Sequence, residues 1–172
     1  MAISLETFNQ LSTQACEQHL MQCCTSQVWV HKLAAERPFA SIADVKQSAD
    51  RCWQGLDEAD YLQAFEGHPK IGDVNSLKAK YANTKALASG EQSGVAQASD
   101  EVIEALSRDN QLYLDRFGFI FIVFASGKSA QQMLELLQGR LHNDRATELK
   151  NAAEQQRLIF QLRIDHLIVA SD

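Results

Sequence analysis

The chain has 172 residues, of which 45% are hydrophobic and 22% are charged, and this composition is typical of a globular domain rather than a disordered chain. Its formal net charge of -6 comes with scattered Lys and Arg residues, which argues against a nucleic-acid partner and favours a small molecule. Neither a signal peptide nor a run approaching the roughly 18 apolar residues of a membrane span is visible, so we expect one cytoplasmic domain over residues 1–172 without a membrane partner.

Apolar residues recur with a helical period along most of the chain, which predicts an all-α fold. In the first part of the chain, we expect helices over residues 4–11, 13–24, 27–36, 41–53 and 57–65. Pro38 ends the third of these, because the residue before a proline avoids the helical conformation. Ser41 with Asp44 three residues later is the signature of a capping box, so the fourth helix begins there.

The helical pattern continues after a polar stretch. Residues 72–99 are rich in small and polar side chains, and we expect one helix within residues 74–82 and another that begins near Glu91. Further helices are expected over residues 99–116, 129–141 and 144–169. Gly118 ends the first of these, since glycine readily adopts the left-handed conformation at a helix C-terminus. The predicted architecture is a single-domain bundle of several helices.

One apolar run interrupts this pattern. Residues 117–125 have the composition of a buried strand, but no second strand-like run is present to pair with them. We therefore expect one buried extended segment among the helices. Its backbone groups need partners other than a sheet, and a ligand is one candidate.

Gly67, His68 and Pro69 form the first candidate for a catalytic segment. Histidine titrates near neutral pH and can transfer protons without a metal or a cofactor. Pro69 fixes its own φ angle and restricts the preceding residue, so the backbone under His68 is held in place. The alternative is a histidine that only caps a helix C-terminus, where its cation is favourable.

Glu91 is the candidate partner of that histidine. A carboxylate can orient an imidazole or share a proton with it. Because Ser89 and Gly90 precede it, Glu91 also has the pattern of an ordinary helix N-terminus with Ser89 as the cap. Such a position suits an anionic ligand as well as a base, since free backbone amides lie nearby.

Arg163 is the third candidate, because its spacing places it on or beside the apolar face of the last helix. An arginine at such a position needs a partner. It could pair with Asp115, Glu148 or another internal acid as part of the structure. It could equally hold a carboxylate or ureido group in a pocket through its planar guanidinium.

Metal and redox chemistry have little support in the sequence. His68 with Asp73 and Glu91 is a weak ligand pattern, so we expect no metal site. The four cysteines show no CxxC spacing, and several of them follow helical spacing. We expect reduced thiols on a core face without a catalytic role.

Five motifs in order carry a resemblance to a known family. They lie at residues 65–72, at 90–92, at 110–113 leading into 117–121, at 140–143 with Glu148, and at Arg163. Together they cover nearly the whole chain and resemble 2-oxo-4-hydroxy-4-carboxy-5-ureidoimidazoline (OHCU) decarboxylase. The resemblance implies a homodimeric all-helical enzyme without metal or organic cofactor, which converts OHCU to (S)-allantoin in urate breakdown.

The resemblance also implies roles for individual residues. His68 is similar to the catalytic acid/base of the family, and Glu91 is similar to its partner. The implied substrate-binding residues are Pro69, Ala88, Ser89, Gln92, Phe119, Phe121, Ile122, Val123 and Arg163. Family members often carry a serine where this chain has Ala88, with Ser89 one position later, so one substrate hydrogen bond is expected to be missing or rearranged.

Two other readings of the same residues are possible. The first is a lyase or hydrolase that acts on another ureido or imidazoline compound, which substrate turnover would distinguish. The second is a helical interaction module without catalysis. That module would leave His68, Glu91 and Arg163 as structural or surface groups and would not bind allantoin.

Overall fold

The computed structural model describes residues 1–69, 74–79, 81 and 99–170. The chain divides into two compact units, Met1–His68 with Leu149–Asp172 (the first unit) and Pro69–Glu148 (the second unit). The described residues are mostly helical and add one pair of two-residue strands, which confirms the predicted helical fold class. The organisation as one domain stays a prediction.

The first unit contains five helices that precede His68. They are α1 (Leu5–Gln10), α2 (Thr13–Met21), α3 (Gln27–Ala35), α4 (Ile42–Trp53) and α5 (Glu58–Glu66). A serine side chain caps each of the first four, accepting a hydrogen bond from the backbone N–H three residues later. Asp57 and Asp60 form a capping box at the start of α5. The predicted bounds agree with these helices to within about three residues, as far as helix ends can be defined.

The second unit contains a helical stretch at residues 74–79, α6 (Asp100–Phe117) and α7 (Ala130–Arg140). The last helix, α8 (Arg145–Leu167), begins in this unit and belongs to the first unit from Leu149 onward. Gly118 follows α6 with φ 79°, which confirms the predicted glycine C-cap. The helix expected near Glu91 lies outside the described residues. None of the helices described has the length and hydropathy needed to cross a bilayer.

A small parallel sheet joins the two ends of the first unit and corrects the sequence prediction. Strand β1 (Ile3–Ser4) pairs with β2 (Ile168–Val169), and Ile3 lies opposite Ile168. The helical period predicts a helix that starts at residue 4 and another that ends at residue 169, and both of these helix ends are wrong. The pairing depends on partners that lie far apart in the chain, so no local hydrophobic period reveals it.

The core of the first unit is built around Phe160 of α8. The rings of Trp29 and Trp53 lie 4.9 and 5.6 Å from it, between centroids. Each indole N–H donates to a backbone carbonyl, Trp29 to Ala49 at 2.9 Å and Trp53 to Ala153 at 3.0 Å. These contacts place both tryptophans in the core, and they hold α8 against α3 and α4. The four cysteines are buried and free, as expected for thiols on a core face.

A stripe of fully buried residues runs along α8 at intervals of four. It consists of Ala152, Gln156, Phe160 and Ile164, each of which is 0% exposed. Residues four apart lie on one face of a helix, so this face packs into the core of the first unit. Gln156 is the polar member of an otherwise apolar row.

Candidate functional site

His68 directly follows α5, and hydrogen bonds of the helix end hold its backbone. Gly67 is the C-cap residue, and its N–H donates to the Ala64 carbonyl at 3.2 Å. The N–H of His68 itself donates to the Phe65 carbonyl at 3.1 Å. Pro69 then follows with its own fixed φ angle. The position of the imidazole is therefore tied to the end of a capped helix, although Gly67 and not His68 is the cap residue.

Gly67 is required by a close approach of Thr25. A Cβ added at Gly67 would lie 2.9 Å from the Cβ of Thr25 and closer still to its methyl and hydroxyl groups. The Thr25 hydroxyl donates to the carbonyls of Gln63 and Ala64 at 3.0 and 3.3 Å, so that side chain is held against the last turn of α5. The absence of a side chain at Gly67 lets the loop between α2 and α3 pack directly beside His68.

The imidazole of His68 contacts Gln156, which the sequence analysis did not identify. The distance between His68 Nε2 and Gln156 Oε1 is 2.5 Å, and Gln156 is fully buried whereas His68 is half-buried. One signal in the sequence could have revealed it. Gln156 is a polar residue at a position where the i, i+4 pattern of α8 predicts an apolar one.

The environment of His68 favours the uncharged imidazole. Burial lowers the pKa of His68 from its ordinary value, and the nearby Arg163 guanidinium lowers this pKa further. The hydrogen bond to Gln156 acts in the opposite direction, but the net change is downward. This lowered pKa favours the uncharged imidazole near pH 7, which is the form that can accept a proton.

Arg163 lies two helical turns after Gln156 on α8 and is half-buried. One of its guanidinium nitrogens donates to the carbonyl of Cys23 at 3.2 Å. Of the acids proposed earlier as its partners, Asp115 accepts a hydrogen bond from Gln111, and Glu148 pairs with Arg140. The guanidinium has further N–H donors, with which Arg163 can bind an anion or a carbonyl oxygen of a substrate.

The loop between α2 and α3 contacts Gly67, which precedes His68, and also contacts Arg163. Thr25 packs on Gly67, and the carbonyl of Cys23 accepts from Arg163. The loop therefore packs on the residue before His68 and also accepts a hydrogen bond from Arg163. Such a set can exchange a proton beside a fixed positive charge, which suits a reaction on a small anion.

Several predicted site residues lie outside the described part of the chain. These are Ala88, Ser89, Glu91 and Gln92. Asp73, which the weak metal pattern would need, lies outside it as well. The roles expected for these residues stay predictions.

The predicted binding segment at residues 119–123 belongs to the second unit. Phe119, Phe121 and Ile122 are 5%, 4% and 2% exposed, and Val123 is half-buried. Residues 118–125 are in neither helix nor strand, which agrees with the expected interruption of the helical pattern, whereas Phe117 is the last residue of α6 and not part of this segment. The Phe121 ring lies 5.3 Å from that of Tyr113, between centroids, so the segment packs on α6.

An arginine holds this segment from α7. Arg140 Nη1 donates to the Ile122 carbonyl at 2.6 Å, and Nε donates to Oε1 of the fully buried Glu148, also at 2.6 Å. The Tyr113 hydroxyl donates to the same carboxylate oxygen at 3.1 Å. The backbone carbonyl of Ile122, in the segment that was expected to need partners outside a sheet, therefore accepts a hydrogen bond from the protein itself. A carbonyl can accept a second hydrogen bond, so a ligand could still bind there.

Comparisons of this chain with a family model and with known proteins point to the same family. The family model described as OHCU decarboxylase matches residues 9–165. The chain is 31% identical over 84% of its length to the uric acid degradation bifunctional protein TTL of Arabidopsis thaliana. It is 24% identical over 99% of its length to an OHCU decarboxylase of Halalkalicoccus jeotgali, of which it covers 94%.

A solved structure supports the same relationship. The crystal structure of an OHCU decarboxylase in the presence of (S)-allantoin matches with a TM-score of 0.68 and 28% identity, covering 87% of this chain and 96% of that one. The chain spans 45% of the length of the Arabidopsis relative and 33% of a bifunctional relative from Bacillus subtilis.

Proposed function

Since the chain belongs to the OHCU decarboxylase family, we propose that it removes CO₂ from 2-oxo-4-hydroxy-4-carboxy-5-ureidoimidazoline and forms (S)-allantoin. The reaction would be a step of urate degradation, in line with the names of its relatives. The observation that carries the proposal is the half-buried His68, whose ring contacts Gln156 on the helix that also presents the half-buried Arg163.

The proposed reaction needs few groups from the protein. The bond between C4 and the carboxylate breaks, CO₂ leaves, and the electron pair enters the unsaturated carbon–nitrogen system of the ring. The ring nitrogen that receives the electron pair takes up one proton, and C5, which carries the ureido group, takes up another. The C4 hydroxyl loses its proton and becomes a carbonyl. The sum is uptake of one proton per CO₂ released. Because the substrate takes up the electron pair itself, positioning and proton transfer remain for the side chains.

We assign the proton transfers to His68. As a neutral imidazole it can accept the proton of the C4 hydroxyl, and as an imidazolium it can donate to one face of C5. Delivery to a single face would yield a single enantiomer of allantoin. Glu91 is assigned to orient the imidazole or to contact the hydroxyl, as the family resemblance implies.

Arg163 is assigned to substrate binding. Its planar guanidinium can hold the carboxylate or the ureido group, both of which offer oxygen atoms to paired N–H donors. Pro69, Ala88, Ser89, Gln92 and the backbone of residues 119–123 are proposed as further binding groups.

The test generates OHCU from urate with the upstream enzymes and follows optically active allantoin by circular dichroism. The wild-type protein should produce the (S) form faster than the uncatalysed background. His68→Asn should lose this activity, because asparagine cannot exchange protons near neutral pH. His166→Asn is the matched control, since His166 is exposed on α8 and has no part in the proposed chemistry.

Formation of only racemic allantoin at the background rate by the wild-type protein would refute the proposal. Full activity in His68→Asn would show that this residue takes no part in the mechanism, although the protein would still catalyse the proposed reaction.

A homodimer and a cytoplasmic location are further proposals that rest on the resemblance. Light scattering at micromolar concentration would test whether the protein is a homodimer.

A further inference from the structure

The buried amide of Gln156 is an unusual component of the core of the first unit. Its neighbours along the stripe, Ala152 and Phe160, are apolar, and all three residues are 0% exposed. Among the described residues, nothing accepts a hydrogen bond from Gln156 Nε2. An unsatisfied buried donor costs stability, and an apolar side chain of the same length would avoid that cost. Within the described part of the chain, the hydrogen bond that this side chain makes is therefore the one at its oxygen, to the His68 ring.

The oxygen of Gln156 determines which nitrogen of His68 carries hydrogen. A carbonyl oxygen can only accept, so at 2.5 Å from Oε1 the Nε2 atom of His68 must be the donor. A neutral imidazole has one ring N–H, and the other nitrogen then carries the lone pair. In His68 that other nitrogen is Nδ1.

We propose that Gln156 is the positioning residue of His68: its side-chain carbonyl fixes the imidazole in the Nε2–H tautomer and leaves Nδ1 as the atom that exchanges protons with the substrate. The role given to Nδ1 in proton exchange with the substrate rests on the proposed decarboxylation. The tautomer itself is a property of the free protein and can be measured without substrate.

An amide suits this task better than a carboxylate would. A carboxylate at the same position would favour the imidazolium and oppose the first step, in which His68 accepts a proton. The amide orients the ring without adding a charge, and although its hydrogen bond raises the pKa of His68, the net change in that pKa is still downward. Arg163, the charged group that acts on His68, also disfavours the imidazolium. The buried position of Gln156 keeps water from competing for the Nε2–H group.

The test compares matched variants of α8. Gln156→Met keeps an unbranched chain of similar length but removes the strong acceptor, and Gln156→Glu restores an acceptor. Gln161→Met is the control, because Gln161 lies on the same helix and its Nε2 donates to the Lys46 carbonyl and to Asp50 instead. ¹⁵N NMR of the His68 ring, recorded well above its pKa, identifies the protonated nitrogen in each protein.

We expect the Nε2–H tautomer in the wild-type protein, in Gln161→Met and in Gln156→Glu, and a mixture of tautomers in Gln156→Met. The Glu variant should also show a higher His68 pKa, because its carboxylate stabilises the imidazolium. In the decarboxylation assay, Gln156→Met should lower kcat by roughly tenfold or more with a smaller change in KM. Its thermal stability should be equal or higher, because the unsatisfied donor is gone.

A purely structural role for Gln156 predicts the opposite pattern, in which stability falls and the tautomer stays unchanged. An Nδ1–H tautomer in the wild-type protein, or an unchanged Nε2–H tautomer in Gln156→Met, would overturn the inference. Inactivity of the wild-type protein towards OHCU would instead overturn the proposed function. The spectrum of His68 would still decide the role of Gln156, so the two failures are distinguishable.

Discussion

Replacing Arg140 with methionine should destabilise the protein strongly, because it removes a cation from a buried carboxylate. The ion pair joins Arg140 Nε to Oε1 of Glu148 at 2.6 Å, with the two side chains 13% and 0% exposed. Removal of one partner from a buried pair costs about 3–5 kcal/mol. Methionine keeps most of the apolar stem of arginine, so little of this loss comes from packing.

The same substitution also removes the donor to the Ile122 carbonyl. For a chain of this size, each kcal/mol lowers the melting temperature by roughly 2–4 °C, so the whole change amounts to about 10 °C. Arg51→Met is the control, because Arg51 and Glu36 are 61% and 37% exposed and pair at 3.0 Å. An exposed pair contributes about 0–1 kcal/mol.

Urea titrations and calorimetry of both variants at pH 7 measure these differences in the free energy of unfolding. The double variant Arg140→Met with Glu148→Gln should recover part of the loss, since no buried charge remains. A loss below about 1 kcal/mol in Arg140→Met, similar to that of Arg51→Met, would refute the reasoning, because the buried carboxylate would then tolerate the loss of the Arg140 cation.

Three further predictions concern other parts of the structure. Gly67→Ala should cost about 1–3 kcal/mol and reduce activity through overlap with Thr25, whereas Gly139→Ala meets nothing within 4 Å and should gain up to about 1 kcal/mol in urea titrations. The folded-state pKa of His68 lies below the unfolded value near 6.5, so the unfolded state binds more protons at pH values between the two. Stability should therefore fall as the pH drops below about 6.5, and His68→Asn should flatten this dependence in thermal scans. Burial raises the thiol pKa of Cys16 to about 11 and also raises the pKa of the other three cysteines, so Ellman's reagent at pH 8 should label them slowly before unfolding and completely after it. Equal labelling rates in native and unfolded protein would contradict the burial.

The helices were predictable because their signals are local. Serine caps, Gly118 and the helical period are each readable within a few residues, and α2 to α4 and α6 begin and end close to the predicted positions. The strand pair of Ile3 and Ile168 was not predictable in this way. Two residues contain no period, and only the folded arrangement brings their backbones together.

Local signals also mark two of the candidate site residues. Gly67 and Pro69 indicate a held backbone around His68, and the helical spacing of Arg163 places it on or beside an apolar face. Their roles in a site stay predictions. Gln156 was missed because glutamine is common on helix surfaces, and its burial follows from packing against elements far away in the chain. The role of Thr25 at Gly67 is likewise a contact between distant segments.

The first unit is made from both ends of the chain, and this has a consequence for how the protein is synthesised. Arg163 reaches the Cys23 carbonyl across 140 residues, and His68 meets Gln156 across 88. Contacts so distant in sequence form only after the entropy of a long loop has been lost, which slows folding. Residues 1–68 leave the ribosome well before α8, so their apolar surface stays exposed until α8 has been made.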